Sequence, residues 1–149
     1  VSERHVGYTG TSSELTDAAD AALAGYLLGL KSSGIDVVGH HGDCVGGDAR
    51  FDFLCRVLRF RVVVHPPSDP KKRAWCHGLD HEIREPKDYR ARNEDIVEEC
   101  EELVGNLSRP GFDFYRSGEW MTLNIARRLG RPRVMIDSEG DIQAVPEGV

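Results

Sequence analysis

No stretch of this 149-residue chain approaches the roughly 20 apolar residues that a membrane-spanning helix requires. The opening VSERHVGYTG lacks the basic-then-apolar layout of a secretory signal. A cytoplasmic location without a membrane partner is the expectation that follows. Cysteine is sparse: Cys44, Cys55, Cys76 and Cys100 form no C-x-x-C pair. Without a secretion signal, free and mostly buried thiols are expected rather than a disulfide framework. Basic residues are in the minority, 19 against 25 acidic ones, giving a net charge of −6. That sign repels nucleic-acid phosphates at long range and argues against generic DNA or RNA binding. Two phosphate-binding signatures, G-x-G-x-x-G and G-x-x-x-x-G-K-[ST], are also missing. An ordinary NAD-dehydrogenase fold and a P-loop phosphotransferase are therefore disfavoured.

What is present is an ordinary globular composition, 40% hydrophobic and 30% charged, over a length that supports one sizeable core. Residues 5–9 read as a strand that runs into Gly10-Thr11-Ser12-Ser13. Residues 14–31 place Leu15, Ala19, Ala22, Leu23, Tyr26, Leu27 and Leu30 on one helix face, with Ser12 or Ser13 as N-cap and Gly34 past the end. A buried strand at 35–38 ends in Gly39-His-His-Gly-Asp-Cys-Val-Gly-Gly-Asp48. A helix carrying Phe51, Leu54, Cys55 and Leu58 follows, then a strand at 61–64 closed by His65-Pro66-Pro67.

Residues 68–89 have no clean period and read as a long excursion over the sheet's carboxyl edge, with Lys71-Lys72-Arg73, Trp75 and His77 on it. A helix at about 90–102, a strand at 103–107, a helix at 119–129 and a strand at 133–136 complete the alternation. The last residues, 137–149, add an edge hairpin or tail off. The reading is a single α/β domain over residues 1–149, Rossmann-like and three-layer (α/β/α), with a mainly parallel sheet of about five strands.

In such sheets ligands sit outside the carboxyl ends of the strands, where the strand order reverses. Three glycine-containing turns project there, each leading into a helix: Gly10-Thr11-Ser12, Gly42-Asp43-Cys44-Val45-Gly46-Gly47-Asp48, and Ser117-Gly118-Glu119 with Thr122 one turn on. Glycines let backbone N–H groups approach a phosphate, and a helix N-terminus adds donors and a favourable dipole. One such turn alone is better explained as a tight strand-to-helix connection; three at one edge point to a ligand site. His40, His41, Asp43, Cys44 and Asp48 have metal-binding side chains but no fixed ligand spacing, and His77 and His81 suit zinc only on a helix. No metal is expected. Trp75 and Trp120 are candidate base-stacking residues, with core packing the alternative for Trp120. Arg127, Arg128, Arg131 and Arg133 read as a solvated turn that balances a helix dipole.

The order of Arg92-Asn93, Leu103-Val104, Ser117-Gly118 and Ala126-x-x-x-Gly130-Arg131, preceded by Gly46-Gly47-Asp48, resembles the core of the DprA and Smf proteins. It is similar to the wider SLOG superfamily, which includes the LOG nucleotide phosphoribohydrolases and small stand-alone proteins of bacteria and phages. The similarity spans about residues 5–137. It implies a nucleotide-binding Rossmannoid domain. Arg92 matches an Arg implicated in LOG catalysis, whereas the position of the catalytic Glu in the LOG motif holds Thr122. Glu119 is nearby but three residues early.

The expected function is a sensor or binding module for a nucleotide or nucleotide-derived phosphate ligand, with no further cofactor required. Backbone amides at Gly10, Thr11, Ser12, Gly42, Gly46, Gly47, Ser117 and Gly118 would hold phosphate, with Arg92 paired to it beside Asn93. Asp43 or Asp48 would accept from a ribose hydroxyl. One alternative is an N-glycosidic hydrolase or transferase with Glu119, kept ionised by the helix N-terminus, as the catalytic carboxylate. A second is single-strand DNA handling. A homodimer is left open.

Overall fold

A computed structural model describes residues 3–149. Seven strands form one sheet: β1 (Glu3–Gly10), β2 (Asp36–His41), β3 (Arg61–Val64), β4 (His81–Ile83), β5 (Glu102–Asn106), β6 (Arg133–Ile136) and β7 (Ile142–Ala144). Their spatial order is β4-β3-β2-β1-β5-β6-β7, parallel throughout except for β7. The mainly parallel α/β sheet expected from the sequence is thus present, with two short strands more than the expected five. Both extra strands are at edges and only three residues long, too short to leave a period in the sequence.

Four helices cross between the strands: α1 (Asp17–Ser32), α2 (Gly47–Val57), α3 (Tyr89–Glu99) and α4 (Trp120–Arg128). Leu23 and Leu27 of α1 and Phe51 and Cys55 of α2 bury against Val6, Tyr8, Val62 and Val64 on one face of the sheet. On the other face Val97 of α3 and Leu123 and Ala126 of α4 bury against Leu103 and Met135. The strands paired on both sides read as apolar runs because both of their faces are covered. Helix α1 begins later than the sequence indicates. Its N-cap is Thr16, whose hydroxyl accepts the Ala19 N–H at 3.1 Å, so residues 11–15 remain as a loop over the carboxyl edge. Helix α3 is likewise capped, by Asp88 on the Ala91 N–H at 2.8 Å, and it stops at Glu99.

The excursion after β3 is a built segment. It makes a 3₁₀ turn at Pro70–Lys72, crosses back as β4 beside β3, and enters α3. At the other edge β6 and β7 are joined through Asp137, whose Oδ1 accepts the Glu139 and Asp141 N–H groups at 3.0 Å. The four arginines near the end of α4 do not form one solvated turn. Arg133 is buried and donates to the Leu123 and Pro146 carbonyls, and Arg131 donates to Val97. The chain leaves β1 in one direction towards β2 and later returns to its other side with β5. The reversal of strand order therefore falls between β1 and β5.

Gly46 makes the entry to α2 possible. It has φ 88°, and a Cβ there would lie 2.6 Å from the Ser12 carbonyl carbon and the Ser13 oxygen. Gly46→Ala is expected to destabilise the protein by about 2–3 kcal/mol, lowering Tm by several degrees in calorimetry. Gly25, inside α1, meets nothing within 4 Å; Gly25→Ala should instead stabilise by about 0.5–1 kcal/mol. Equal effects of the two changes would refute this account.

Candidate functional site

The crevice between the carboxyl ends of β1 and β5 opens into a cleft of about 300 Å³. Its floor is Tyr8, which is buried and stacks on Phe51 with ring centroids 4.7 Å apart. The phenol donates to Asn106 Oδ1 at 2.6 Å, joining the two strands that flank the switch. Gly10 and Gly47 make room for that hydroxyl: a Cβ on either would come within 2.4 Å of it. Sequence reading passed over Tyr8 and Asn106. The available signal was an amide side chain ending an apolar strand at the ligand-bearing edge.

Gly10 and Ser12 from the β1 turn, Gly42 from the β2 turn, Asp48 at the start of α2, Arg92 and Asn93 from α3, Gly118 just before α4 and Thr122 within it line this cleft. Thr11 and Glu119 line its continuation. The Thr11, Ser12 and Gly118 N–H groups have no acceptor among the described residues. Arg92 is only 7% exposed. It is held by donating from Nη1 to the Gly42 carbonyl at 2.5 Å and from Nε to Asn93 Oδ1 at 2.9 Å. Gly42 is required here, because a Cβ would collide with the guanidinium at 2.4 Å. Arg92 Nη2 has no partner among the described residues and is free to face an anion.

The β2 turn is wired differently from the expected amide cradle. Its Cys44 N–H is taken by Asp48 Oδ2, its Val45 N–H by the Lys72 carbonyl and its Gly47 N–H by the Thr11 carbonyl. Gly46 faces a separate groove between α1 and α2. That groove is larger, about 620 Å³, and is lined by Glu14, Asp17 and Asp20 against one cation, Arg50, already paired to Asp20; the remaining negative charge disfavours an anionic ligand. Ser117 does not line the cleft, and its hydroxyl donates to the Phe114 carbonyl at 2.8 Å.

Asp43 is corrected from ribose acceptor to anchor. It is fully buried, and its carboxylate takes Arg73 Nε at 2.7 Å and the Cys76 N–H at 2.8 Å. Its carbonyl accepts the Ala74 N–H at 2.8 Å. Asp48 remains at the cleft, with burial raising its carboxyl pKa above the ordinary value.

The histidines join local networks. His41 Nδ1 accepts the Asp43 N–H at 3.0 Å, which puts its proton on Nε2, facing Asp52 Oδ1 at 2.8 Å. His81 shares that oxygen at 2.7 Å, from a strand rather than a helix. Donor atoms of His41, Asp52 and Cys76 lie within 4.8 Å of one another, but the protonated Nε2 has no lone pair for a metal. His40 bridges His5 and His65 at 2.7 and 2.9 Å beneath α3, with burial lowering its pKa to about 2. His77 is exposed. Trp75 is exposed with Arg73 stacked 3.8 Å from its ring centroid, and Trp120 packs on Tyr115 against the core.

Glu119 reverses the expected electrostatics. It precedes α4 without capping it, is 5% exposed, and has a buried Oε1 with no hydrogen-bond partner. Burial pushes its carboxyl up to about 7; its own backbone N–H opposes this, and the nearby Asp48 charge adds to it. Desolvation outweighs the helix N-terminus at this position.

Comparison with solved structures places this geometry. The DNA processing protein A (DprA) of Streptococcus pneumoniae superposes with a TM-score of 0.68 at 16% identity, over 89% of this chain and 50% of that one. The two share a mainly parallel α/β fold. A molybdenum cofactor binding protein from Rippkaea orientalis matches with a TM-score of 0.62 at 16% identity, over 91% of this chain and 77% of that one. The structural-genomics target TM1055 matches at 0.64 and 14%, over 87% and 72%. The chain spans half the length of the pneumococcal DprA structure. No protein-family model matches the sequence, and no curated protein matches it significantly. Among the described residues, no helix is long and apolar enough to cross a membrane.

Two outcomes follow. Asp43→Ala leaves Arg73 without its carboxylate and frees the excursion; we expect a loss on the order of 3 kcal/mol in urea unfolding and faster proteolysis within residues 73–77. A wild-type midpoint would contradict this. Glu119 has a folded pKa of about 7 against an ordinary 4.5. Its contribution to stability is therefore fully present below about pH 4.5 and is lost as pH rises through about 7. The decline is on the order of 3 kcal/mol. Glu119→Gln should flatten this part of the pH–stability profile, and an unchanged slope would rule the assignment out.

Proposed function

We propose that the protein binds a nucleotide or nucleotide-derived phosphate ligand in the β1/β5 cleft and acts as a sensor or binding module. The observation that carries this reading is the meeting of unpaired N–H groups of Thr11, Ser12 and Gly118 with a buried guanidinium, Arg92, that keeps one nitrogen free. A phosphate oxyanion satisfies both kinds of donor, and water leaves a buried Arg less well paired than a phosphate does. The cleft volume of about 300 Å³ is at the lower end of small-molecule sites. Asp48 and Thr122 supply further polar contacts for a sugar. The fold is shared with a cofactor-binding protein and with DprA, and the net charge of −6 weighs against generic nucleic-acid binding as the main role.

Glu119 supports a second, enzymatic reading. A carboxyl with a pKa of about 7 is protonated in part at neutral pH and is suited to donate a proton to a departing base in N-glycosidic cleavage. Release of free base from nucleoside monophosphates, lost in Glu119→Gln with binding retained, distinguishes that enzyme from a binding module.

The binding reading is tested by titration calorimetry with AMP at fixed salt. Arg92→Ala should weaken binding by about 10- to 100-fold, the equivalent of roughly 1.5–3 kcal/mol for hydrogen bonds to a charged group. Circular dichroism checks that this variant is folded. AMP affinity that does not depend on Arg92, or failure of AMP and other nucleotides to bind, overturns the reading.

A further inference from the structure

Positive charge without a counter-charge gathers at the opposite, amino edge of the sheet. There the end of α4, the start of β6 and the end of β7 frame a cavity of about 600 Å³. Arg127, Arg131 and Arg133 line it, beside apolar walls that include Val134 and Val145. None of its lining residues borders the β1/β5 cleft or the continuation of that cleft.

No carboxylate lies within ion-pair distance of these three arginines among the described residues. Every acceptor they use is neutral. Arg127 donates from Nε and Nη2 to Asn124 Oδ1 at 3.3 and 2.9 Å. Arg131 donates to the Val97, Leu129 and Glu98 carbonyls at 3.3, 3.1 and 3.3 Å. Arg133 donates to the Leu123 and Pro146 carbonyls at 3.2 and 3.0 Å. Such bonds satisfy N–H groups and offset the helix ends, but a helix terminus carries only about half an elementary charge.

Arg133 is the decisive member, because it is only 4% exposed. A buried charge is costly unless an opposite charge accompanies it. Burial, with the Arg127 charge added, holds its guanidinium below the ordinary pKa. Glu147 is the one acidic residue lining the cavity, and it is exposed. Three guanidiniums against that one carboxylate leave an excess of two positive charges, in a chain whose net charge is −6.

We propose that this cavity is an anion site, separate from the cleft, for a small molecule bearing a multiply charged oxyanion group, phosphate or carboxylate. Arg127 and Arg131, the more exposed pair, fork onto its oxygens, as planar guanidiniums do with either group. Arg133 supplies the counter-charge from within the fold, and Val134 and Val145 meet the apolar part of the ligand.

Proton–nitrogen NMR titrations with pyrophosphate and with citrate, at fixed ionic strength, test the site. The amides of Val134, Ala144 and Val145 should shift saturably with one common Kd, and the tighter of the two anions identifies the headgroup. Arg127 is exposed and bonds only to Asn124, so Arg127→Gln keeps the fold; it should raise that Kd about threefold or more. Glu147→Gln should lower it about twofold, since a repelling charge is removed. Shifts confined to Thr11 and Gly118 would assign the anions to the cleft and overturn the inference. It is equally overturned by the absence of saturable shifts with both anions, or by a Kd that neither substitution moves.

Discussion

The architecture of the cleft depends on the buried carboxylate of Asp43. This one side chain, at the end of β2, holds residues 73, 74 and 76 through its carboxylate and its carbonyl. Asp43 and Trp75 both take positive φ, 58° and 60°, conformations that non-glycine residues adopt at a cost. The ion pair and the backbone hydrogen bonds offset that strain. As a result the 3₁₀ turn with Lys71 and Lys72 is set beside the β1 turn, and β4 is brought alongside β3. Removal of the charge at Asp43 disconnects one wall of the cleft's continuation from the sheet.

Around that anchor, the site is a layered set of commitments between polar groups. Tyr8 joins β1 to β5 through Asn106, and Arg92 joins α3 to the β2 turn through the Gly42 carbonyl. Glycines at 10, 42 and 47 are needed chiefly to clear space for the Tyr8 hydroxyl and the Arg92 guanidinium. The donors left over, on the β1 turn and at the start of α4, are those that a ligand can claim.

Much of the frame was readable from the sequence. The helices announce themselves by three-four spacing at Leu23 and Leu27 or Phe51, Leu54 and Cys55, and the strands by short apolar runs. The edge strand β4 escaped because three residues with exposed faces carry no pattern, whereas β7 is the edge hairpin that was one of two readings of the last residues. Glycine-rich turns pointed to the carboxyl edge of the sheet, where the cleft lies. Their chemistry was harder to read, since the sequence does not show which N–H groups the fold itself consumes. Gly47 and Asp43 look like ligand contacts by residue type, but Thr11 and Arg73, 36 and 30 positions away, had already claimed them. Glu119 shows the same limit: its place before a helix is legible, whereas the desolvation that governs its proton depends on tertiary packing.

Gly118 differs from the other cleft glycines. A Cβ there meets nothing within 4 Å, and its backbone is not in the left-handed region, yet it borders both the cleft and its continuation. The fold places no demand on the residue at this position. A side chain introduced there would project into the junction of the cleft and its continuation and change the space available in it, with no atom of the sheet, the anchor or Arg92 in its way.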